Sequence, residues 1–274
     1  MLSGCGVRLL IALIIAGISL FSYWRMRSPN PITGQMQHVN LTVDEEIALG
    51  LNAAAAMAAQ FGGQTSDQEL RLKVDDIGQR IVARSDASKG TYRFAFHALA
   101  DSNTINAFAL PGGQVFLTQG LLSRLKTDGQ IAGVLGHETG HVLGRHSAQQ
   151  LAKSQLLQGL TGAAVVAATD PNNPSTYNSG MLASMVAQMI GLKYSRDDEL
   201  EADRWGVKLM SQAGYDPRAM VEVMKVLEQA SAGGGTGHQP EFMSTHPDPG
   251  RRIERIEDEI KKLYPNGVPA GLER

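Results

Sequence analysis

The 274-residue sequence predicts an α+β fold, mainly helical, with one small mixed sheet. Three observations carry that expectation. Apolar residues recur at helical spacing behind capping residues through most of the chain after Thr42. The spacing falls to two only between Tyr92 and Thr118. A further apolar helix, rich in glycine and containing Gly136-His137-Glu138-Thr139-Gly140-His141, follows that interlude. A chain of this length forms one substantial core with appendages, so residues 42–274 are read as a single domain.

Residues 1–30 stand apart. Leu9 to Trp24 is almost wholly apolar and is bounded by Arg8, Arg25 and Arg27, the composition of a membrane segment. No small-x-small cleavage site follows it, and Tyr23-Trp24 suits an interfacial anchor, so an uncleaved anchor is preferred to a removed signal peptide. The span is short against the roughly 20 residues a crossing helix needs. Leu2-Ser3-Gly4-Cys5 has no hydrophobic region ahead of it, which argues against a lipoprotein box, and the flanking charges nearly balance and leave orientation open.

Residues 31–41 read as a polar linker. Thr42-Val43-Asp44-Glu45 forms a capping box that opens an alanine-rich helix to about Ala59, and Ser66 with Glu69 suggests a second. In that second helix Leu70, Val74, Ile77 and Ile81 share a face, so the pair can pack as a support layer. Tyr92, Phe94 and Phe96 then alternate with Arg93, Ala95 and His97 as in a strand, with His97 facing polar surroundings. Asn106 to Leu110, a turn at Pro111-Gly112-Gly113, and Gln114 to Thr118 read as a hairpin. Beyond the histidine motif, Leu151 to Leu192 reads as two buried or cleft-lining helices broken at Asp170 to Pro174. Helices are expected at 194–213, at 217–230 with Asp216 as cap, and at 250–263, where Ile253, Ile256, Ile260 and Leu263 form a stripe. Ser231 to Pro249 reads as a Gly/Pro-rich loop.

Composition narrows the chemistry. Lys plus Arg number 25 against 27 Asp plus Glu, with no long block of either sign, so no nucleic-acid partner is expected. Cys5, the one cysteine, precedes the apolar run, which leaves His and carboxylates as the only metal ligands in the folded part. His137 and His141 are four apart and share a helix face, so both imidazoles can reach one cation. Glu138 sits about 100° round, where it can act as a general base on water. Ile131, Val134, Leu135 and Val142 bury the helix, and a third ligand should come from another helix. In Tyr194 to Asp203, Glu199 and Asp203 share an i,i+4 face while Glu201 points elsewhere. Spacing alone leaves that tract equally readable as an acidic, solvated face.

Gly133, Gly136, Gly140 and Gly144 form a bare ridge that costs up to about 1 kcal/mol each in helix propensity. Ala202 and Gly206 lie beside Glu199 and Asp203. The two helices are therefore expected to touch there, bringing Glu199 to the metal. His146 and His238 are read as solvent-facing.

HETGH, SRDDELEADRWG, STHPDPGRRI and NAFALPGG, in four ordered places from Thr42 to Leu263, together resemble the HtpX-type gluzincin zinc metallopeptidases, in layout most nearly the LoiP/BepA-like periplasmic members. The resemblance implies a zincin-like metallopeptidase domain whose HExxH helix packs on an ExxxD helix. It implies one Zn2+ per chain, held by His137, His141 and Glu199, with Glu138 as base and Asp203 supporting from behind. His246 would approach the metal as oxyanion donor or latch, and Arg252 would anchor its loop to Asp203. Asn106, Ala107, Phe108 and Ala109 would form the edge strand that binds substrate. The implied activity is endopeptidase cleavage of unfolded or misfolded membrane or envelope proteins. The implied setting is an inner-membrane anchor with the catalytic domain in the periplasm, or release there after signal cleavage. Two rivals stand beside it: a zinc-stabilised chaperone that grips peptides without cutting, and a metal-dependent hydrolase of non-peptide esters or amides.

Overall fold

The computed structural model describes residues 4–168, 193–233, 241–246 and 251–274. It divides into two units, Met1–Leu41 with Ala148–Ile190, and Thr42–Ser147 with Gly191–Arg274.

In the first unit, helix α1 (Gly4–Arg25) is long and apolar enough to cross a membrane. Its Leu13, Ile18, Phe21 and Trp24 are exposed, an apolar surface that no described residue covers. The stretch expected to be an irregular linker contains a hairpin: β1 (Arg27–Pro29) pairs antiparallel with β2 (Met36–His38). Asn30 explains the turn. Its Oδ1 accepts from the backbone N–H groups of Ile32 and Thr33 at 2.8 and 3.0 Å, and its Nδ2 donates to Gln37 at 3.1 Å. Helix α6 (His146–Ala168) supplies, from Ala148 onward, the described part of this unit's second segment. The expected break at Asp170 to Pro174 and the second helix beyond it lie outside the described residues.

The second unit begins at the capping box read from the sequence. Thr42 Oγ1 accepts from Glu45 N–H, and the Glu45 carboxylate accepts from Thr42 N–H, which starts α2 (Val43–Gln60). The next cap is Asp67, not Ser66: its Oδ1 accepts from Leu70 N–H at 3.0 Å, and α3 (Gln68–Arg84) starts one residue later than expected. Asp and Ser cap about equally well, and Asp67 adds a negative charge at the positive end of the helix dipole. Val74, Ile77 and Ile81 of α3 are buried as their spacing requires.

The mixed sheet has the order β3-β5-β4, with β3 (Ala95–Leu99) parallel and β4 (Ala107–Leu110) antiparallel to the central, fully buried β5 (Gln114–Thr118). Strand β3 starts three residues later than the alternation from Tyr92 suggested. Its register is fixed by β5, which pairs from Ala95 opposite Gln114 to Leu99 opposite Thr118, and the aromatic side chains before Ala95 stack outside the ladder. Two glycines at φ +80° and +109° make the β4–β5 turn, and a Cβ on Gly112 would meet the backbone of Ile47 in α2 at 2.3 Å.

After the short α4 (Gln119–Leu122), α5 (Asp128–Leu143) carries the histidine motif, capped by Thr127. It packs most extensively on α7 (Arg196–Gln212), which opens with a Ser195–Asp198 capping box. Helix α8 (Arg218–Gly233) follows Asp216, whose Oδ1 accepts from Arg218 N–H. The expected loop from Ser231 to Pro249 is partly helical. Ser231 still belongs to α8, and Glu241–Thr245 forms α9, with Phe242 buried. Helix α10 (Arg252–Leu263) buries Ile256 and Ile260, but its stripe stops short, with Leu263 41% exposed.

Between α5 and α6 the chain turns through Arg145, a non-glycine residue at φ +56°. Glu46 of α2 holds it, accepting from Arg145 Nε at 2.8 Å and Nη2 at 2.6 Å. Burial outweighs the guanidinium and pushes the Glu46 pKa up to about 7. The folded state therefore holds a proton that the unfolded chain releases near pH 4.5. The stability this proton contributes is full below that pH and is lost as pH rises through 7. The loss is on the order of 1–3 kcal/mol. Melting curves should show a larger fall in Tm from pH 5 to pH 8 for the wild-type chain than for Glu46→Gln; parallel falls would disprove the assignment.

Candidate metal centre

His137 and His141 lie one turn apart on α5, and each is almost wholly buried. Their Nε2 atoms converge to 3.0 Å. Glu199, from the first turn of α7, meets them with Oε2 3.5 Å from His137 Nε2 and Oε1 3.4 Å from His141 Nε2. His246, at the end of α9, completes the group, its Nδ1 2.9 Å from Glu199 Oε1 and 3.4 Å from His137 Nε2. One ligand atom from each of these four residues lies within 4.8 Å of all the others.

The glycines explain how α7 comes so close, and they divide the work. A Cβ on Gly140 would meet the Ala202 carbonyl oxygen at 2.9 Å and the Trp205 Cβ at 3.0 Å, and one on Gly136 would meet the Gly206 oxygen at 3.1 Å. These two, with Ala202 and Gly206, form the expected helix contact. Gly133 faces Met220 of α8 instead, and Gly144 lies under the ring of His146. The ridge therefore serves three neighbours.

Behind the cluster, His137 Nδ1 donates to Asp203 Oδ1 at 2.9 Å. Arg252 clamps that carboxylate with Nε on Oδ2 and Nη2 on Oδ1, both at 2.7 Å, and sets Nη1 3.2 Å from Glu199 Oε2. Glu138 differs from its neighbours. Both of its carboxylate oxygens are buried without a hydrogen bond from the protein, and Oε1 stands 3.5 Å from His246 Nε2. Asn106, Ala107 and Ala109 are buried, Phe108 is half-buried, and all but Asn106 lie on β4, an edge of the sheet.

Two placements depart from the sequence reading. His146 is buried, not solvent-facing, with Nδ1 2.9 Å from His141 Nδ1 and Nε2 3.3 Å from Glu201. Tyr194 was not singled out, yet its ring stacks on His141 with centroids 3.9 Å apart, and its hydroxyl bonds to Ser147 at 3.0 Å. His97 keeps the polar setting expected of it, between Gln64 and Gln114, and His238 lies outside the described residues.

The electrostatics follow the geometry. Burial raises the Glu138 pKa, and the nearby histidines only partly offset it. Burial also works against the charged form of Glu199, yet His246, His137 and His141 hold its pKa well below the ordinary range. Asp203 is likewise held low against its burial, by Arg252 and His137. Burial lowers His141 well below the usual value. For His137, burial and Arg252 favour loss of the proton, but Asp203 and Glu199 outweigh them and raise its pKa to about 9.

This donor set suits a divalent cation. His137 donates its Nδ1 hydrogen to Asp203, and the 3.0 Å between its Nε2 and that of His141 is bridged by something positive, either a proton on His137 Nε2 or a cation in its place. Ligands on a tetrahedral zinc at about 2.0–2.1 Å stand roughly 3.3 Å apart, close to the spacing here.

A histidine pair on one helix that can hold a metal, a carboxylate from the helix packed on it, and a buried carboxylate beside them that accepts no hydrogen bond from the protein make up the set of groups a metallopeptidase uses. Residues 68–260 match the model of peptidase family M48, and the chain belongs to that family. It is 31% identical over 248 residues to the mitochondrial metalloendopeptidase OMA1 of Schizosaccharomyces pombe, covering 89% of this chain and 69% of that protein. It is 29% identical over 241 residues to the beta-barrel assembly-enhancing protease of Yersinia pestis, and 30% over 206 residues to that of Escherichia coli. It spans 48% and 41% of those two proteins, less than half of each.

Proposed function

We propose that this chain is a zinc endopeptidase that cleaves unfolded or misfolded membrane or envelope proteins. It does so from a single-pass inner-membrane anchor formed by residues 1–30, with the domain at 42–274 on the periplasmic side. The observation that carries the reading is the Glu138 carboxylate, buried and without a hydrogen-bond donor beside three convergent ligands. A buried carboxyl group that accepts no hydrogen bond costs about 1–3 kcal/mol, which a purely structural site has no reason to bear.

His137, His141 and Glu199 would hold the metal. When bound, zinc supplies Lewis-acid polarisation of the scissile carbonyl and acidifies water. Glu138 takes the proton of the attacking water and returns it to the leaving amine nitrogen. Asp203, clamped by Arg252, fixes the His137 ring. His246, tied to Glu199 through Nδ1, presents Nε2 on the Glu138 side, where as an imidazolium it can donate to the oxyanion of the substrate or, as a neutral ring turned inward, could itself bind the metal as a latch. The segment Asn106 to Ala109 suits an extended peptide that adds as a further strand, and such binding favours unfolded segments. The names of the relatives, one mitochondrial and one concerned with β-barrel assembly, support a membrane-protein substrate.

Prolonged dialysis against a chelator should reduce casein cleavage below detection, and stoichiometric Zn2+ should restore it while Mg2+ does not. Cleavage that survives verified metal removal would sink the proposal. Turnover of small esters without peptides would favour the non-peptide hydrolase instead.

A further inference from the structure

His146 is wholly buried and takes part in none of the steps above. Its Nδ1 lies 2.9 Å from Nδ1 of His141. Two nitrogens at that distance share one hydrogen, so one donates and the other accepts. Glu201 decides which. A carboxylate only accepts, so its Oε2, 3.3 Å from His146 Nε2, selects the tautomer that donates there. That tautomer offers a lone pair at Nδ1. His141 must then keep its own proton on Nδ1, which leaves the lone pair on Nε2, the atom 3.0 Å from His137 Nε2 in the ligand cluster.

We infer that His146 is a positioning residue for His141, fixing the tautomer and ring orientation of that ligand through a relay that ends on Glu201. The inference rests on the proposed role of His141 as a metal ligand.

The surroundings are built for this contact. The left-handed turn at Arg145 follows the end of the motif helix, and His146 next to it sets its ring beside His141. Gly144 makes room for it: a Cβ there would fall 2.3 Å from His146 Nε2. Tyr194 closes the face of His141 and ties its own hydroxyl to Ser147, the neighbour of His146. The two ligand histidines are therefore oriented differently. His137 meets a carboxylate directly, one whose charge Arg252 offsets. His141 reaches its carboxylate through a second ring, so no fourth carboxylate crowds a centre that already holds Glu138, Glu199 and Asp203.

The test compares zinc dissociation constants of the full-length chain and its variants, measured by competition with a chromogenic chelator, with melting curves to establish folding. His146→Leu, which fills the space but accepts no hydrogen bond, should bind zinc roughly 10- to 100-fold more weakly. His146→Asn keeps an acceptor near the position of Nδ1 and should stay within about threefold of wild type. Gly144→Ala removes no nitrogen and, at φ −71°, strains no backbone; it should weaken zinc binding several-fold by displacing the His146 ring alone. Wild-type affinity in His146→Leu, or equal weakness in the Asn and Leu variants, overturns the relay. Should His146→Leu fail to fold, Gly144→Ala decides, and full affinity there overturns it. A wild-type chain that takes up no zinc fails the functional reading itself, a result readily told apart from these.

Discussion

Glu138→Gln is expected to lower peptide cleavage by roughly 10²- to 10⁴-fold, the range that a positioned general base contributes, while zinc affinity stays within a few-fold of wild type. The amide is nearly isosteric and cannot take a proton from water. Nor does Glu138 belong to the group of side chains whose ligand atoms converge within 4.8 Å. Stability should move the other way. The Glu138 carboxylate is buried without a hydrogen bond from the protein, and its burial is penalised in the charged form, so the neutral amide should melt at or above the wild-type temperature. Loss of activity together with retained or increased Tm is the mark of a residue kept for chemistry at the expense of stability. The measurement pairs casein cleavage with zinc content and a melting curve on one preparation. A variant that cuts normally would remove Glu138 from the mechanism. A wild-type chain that binds unfolded peptide and never cuts it would favour the chaperone reading.

What the sequence made legible was local. The shared face of His137 and His141 follows from a four-residue spacing within one helix, and Thr42 with Glu45 closes a box three residues long. The contact of Gly136 and Gly140 with Ala202 and Gly206 was also legible, because glycine inside a helix is costly and so advertises a close neighbour. What escaped depends on partners distant in sequence. Strand β3 takes its start from β5, and no alternation within 92–99 contains that information. His146 was misplaced because its burial depends on a left-handed Arg145, a conformation that arginine rarely adopts and that Glu46, 99 positions away, helps to hold. A signal did exist: Gly144 made part of the bare ridge, and the atoms nearest an added Cβ there belong to the ring of His146, two residues on.

His246 shows the limit differently. Spacing gave no reason to draw a loop histidine to the centre, and only the resemblance suggested it. The structure supplies the physical means, since Phe242 is buried one turn earlier in α9 and stacks on the His246 ring with centroids 4.3 Å apart. Arg252, at the start of α10, then clamps Asp203 and brings the α10 end of that connection to the same helix, α7, that carries Glu199.

Gly140→Leu should cost the protein both its zinc and its activity, and Gly133→Ala should cost it neither. A Cβ on Gly140 already comes within 2.9 Å of the Ala202 carbonyl oxygen and 3.1 Å of its Cα, both backbone atoms that cannot rotate aside. A leucine adds three more carbons, so α7 must move, and overpacking of this kind typically costs about 1–3 kcal/mol or more. The displaced helix carries Glu199 and Asp203 together, so the distance of Glu199 from the two histidines and the orientation of His137 are disturbed at once. A misplacement of about 1 Å at such a centre can lower turnover roughly 100-fold. At Gly133 the nearest neighbour of an added Cβ is Met220 Cα at 3.4 Å, an ordinary contact, so alanine there should recover some of the up to about 1 kcal/mol that glycine forfeits in a helix. Zinc content, casein turnover and Tm measured on the two variants separate a general intolerance of side chains on α5 from a specific need for contact at Gly140. If both variants behave alike, the glycine ridge is not what brings Glu199 to the centre. If only Gly140→Leu loses metal, the spacing of α5 from α7 is what completes the site.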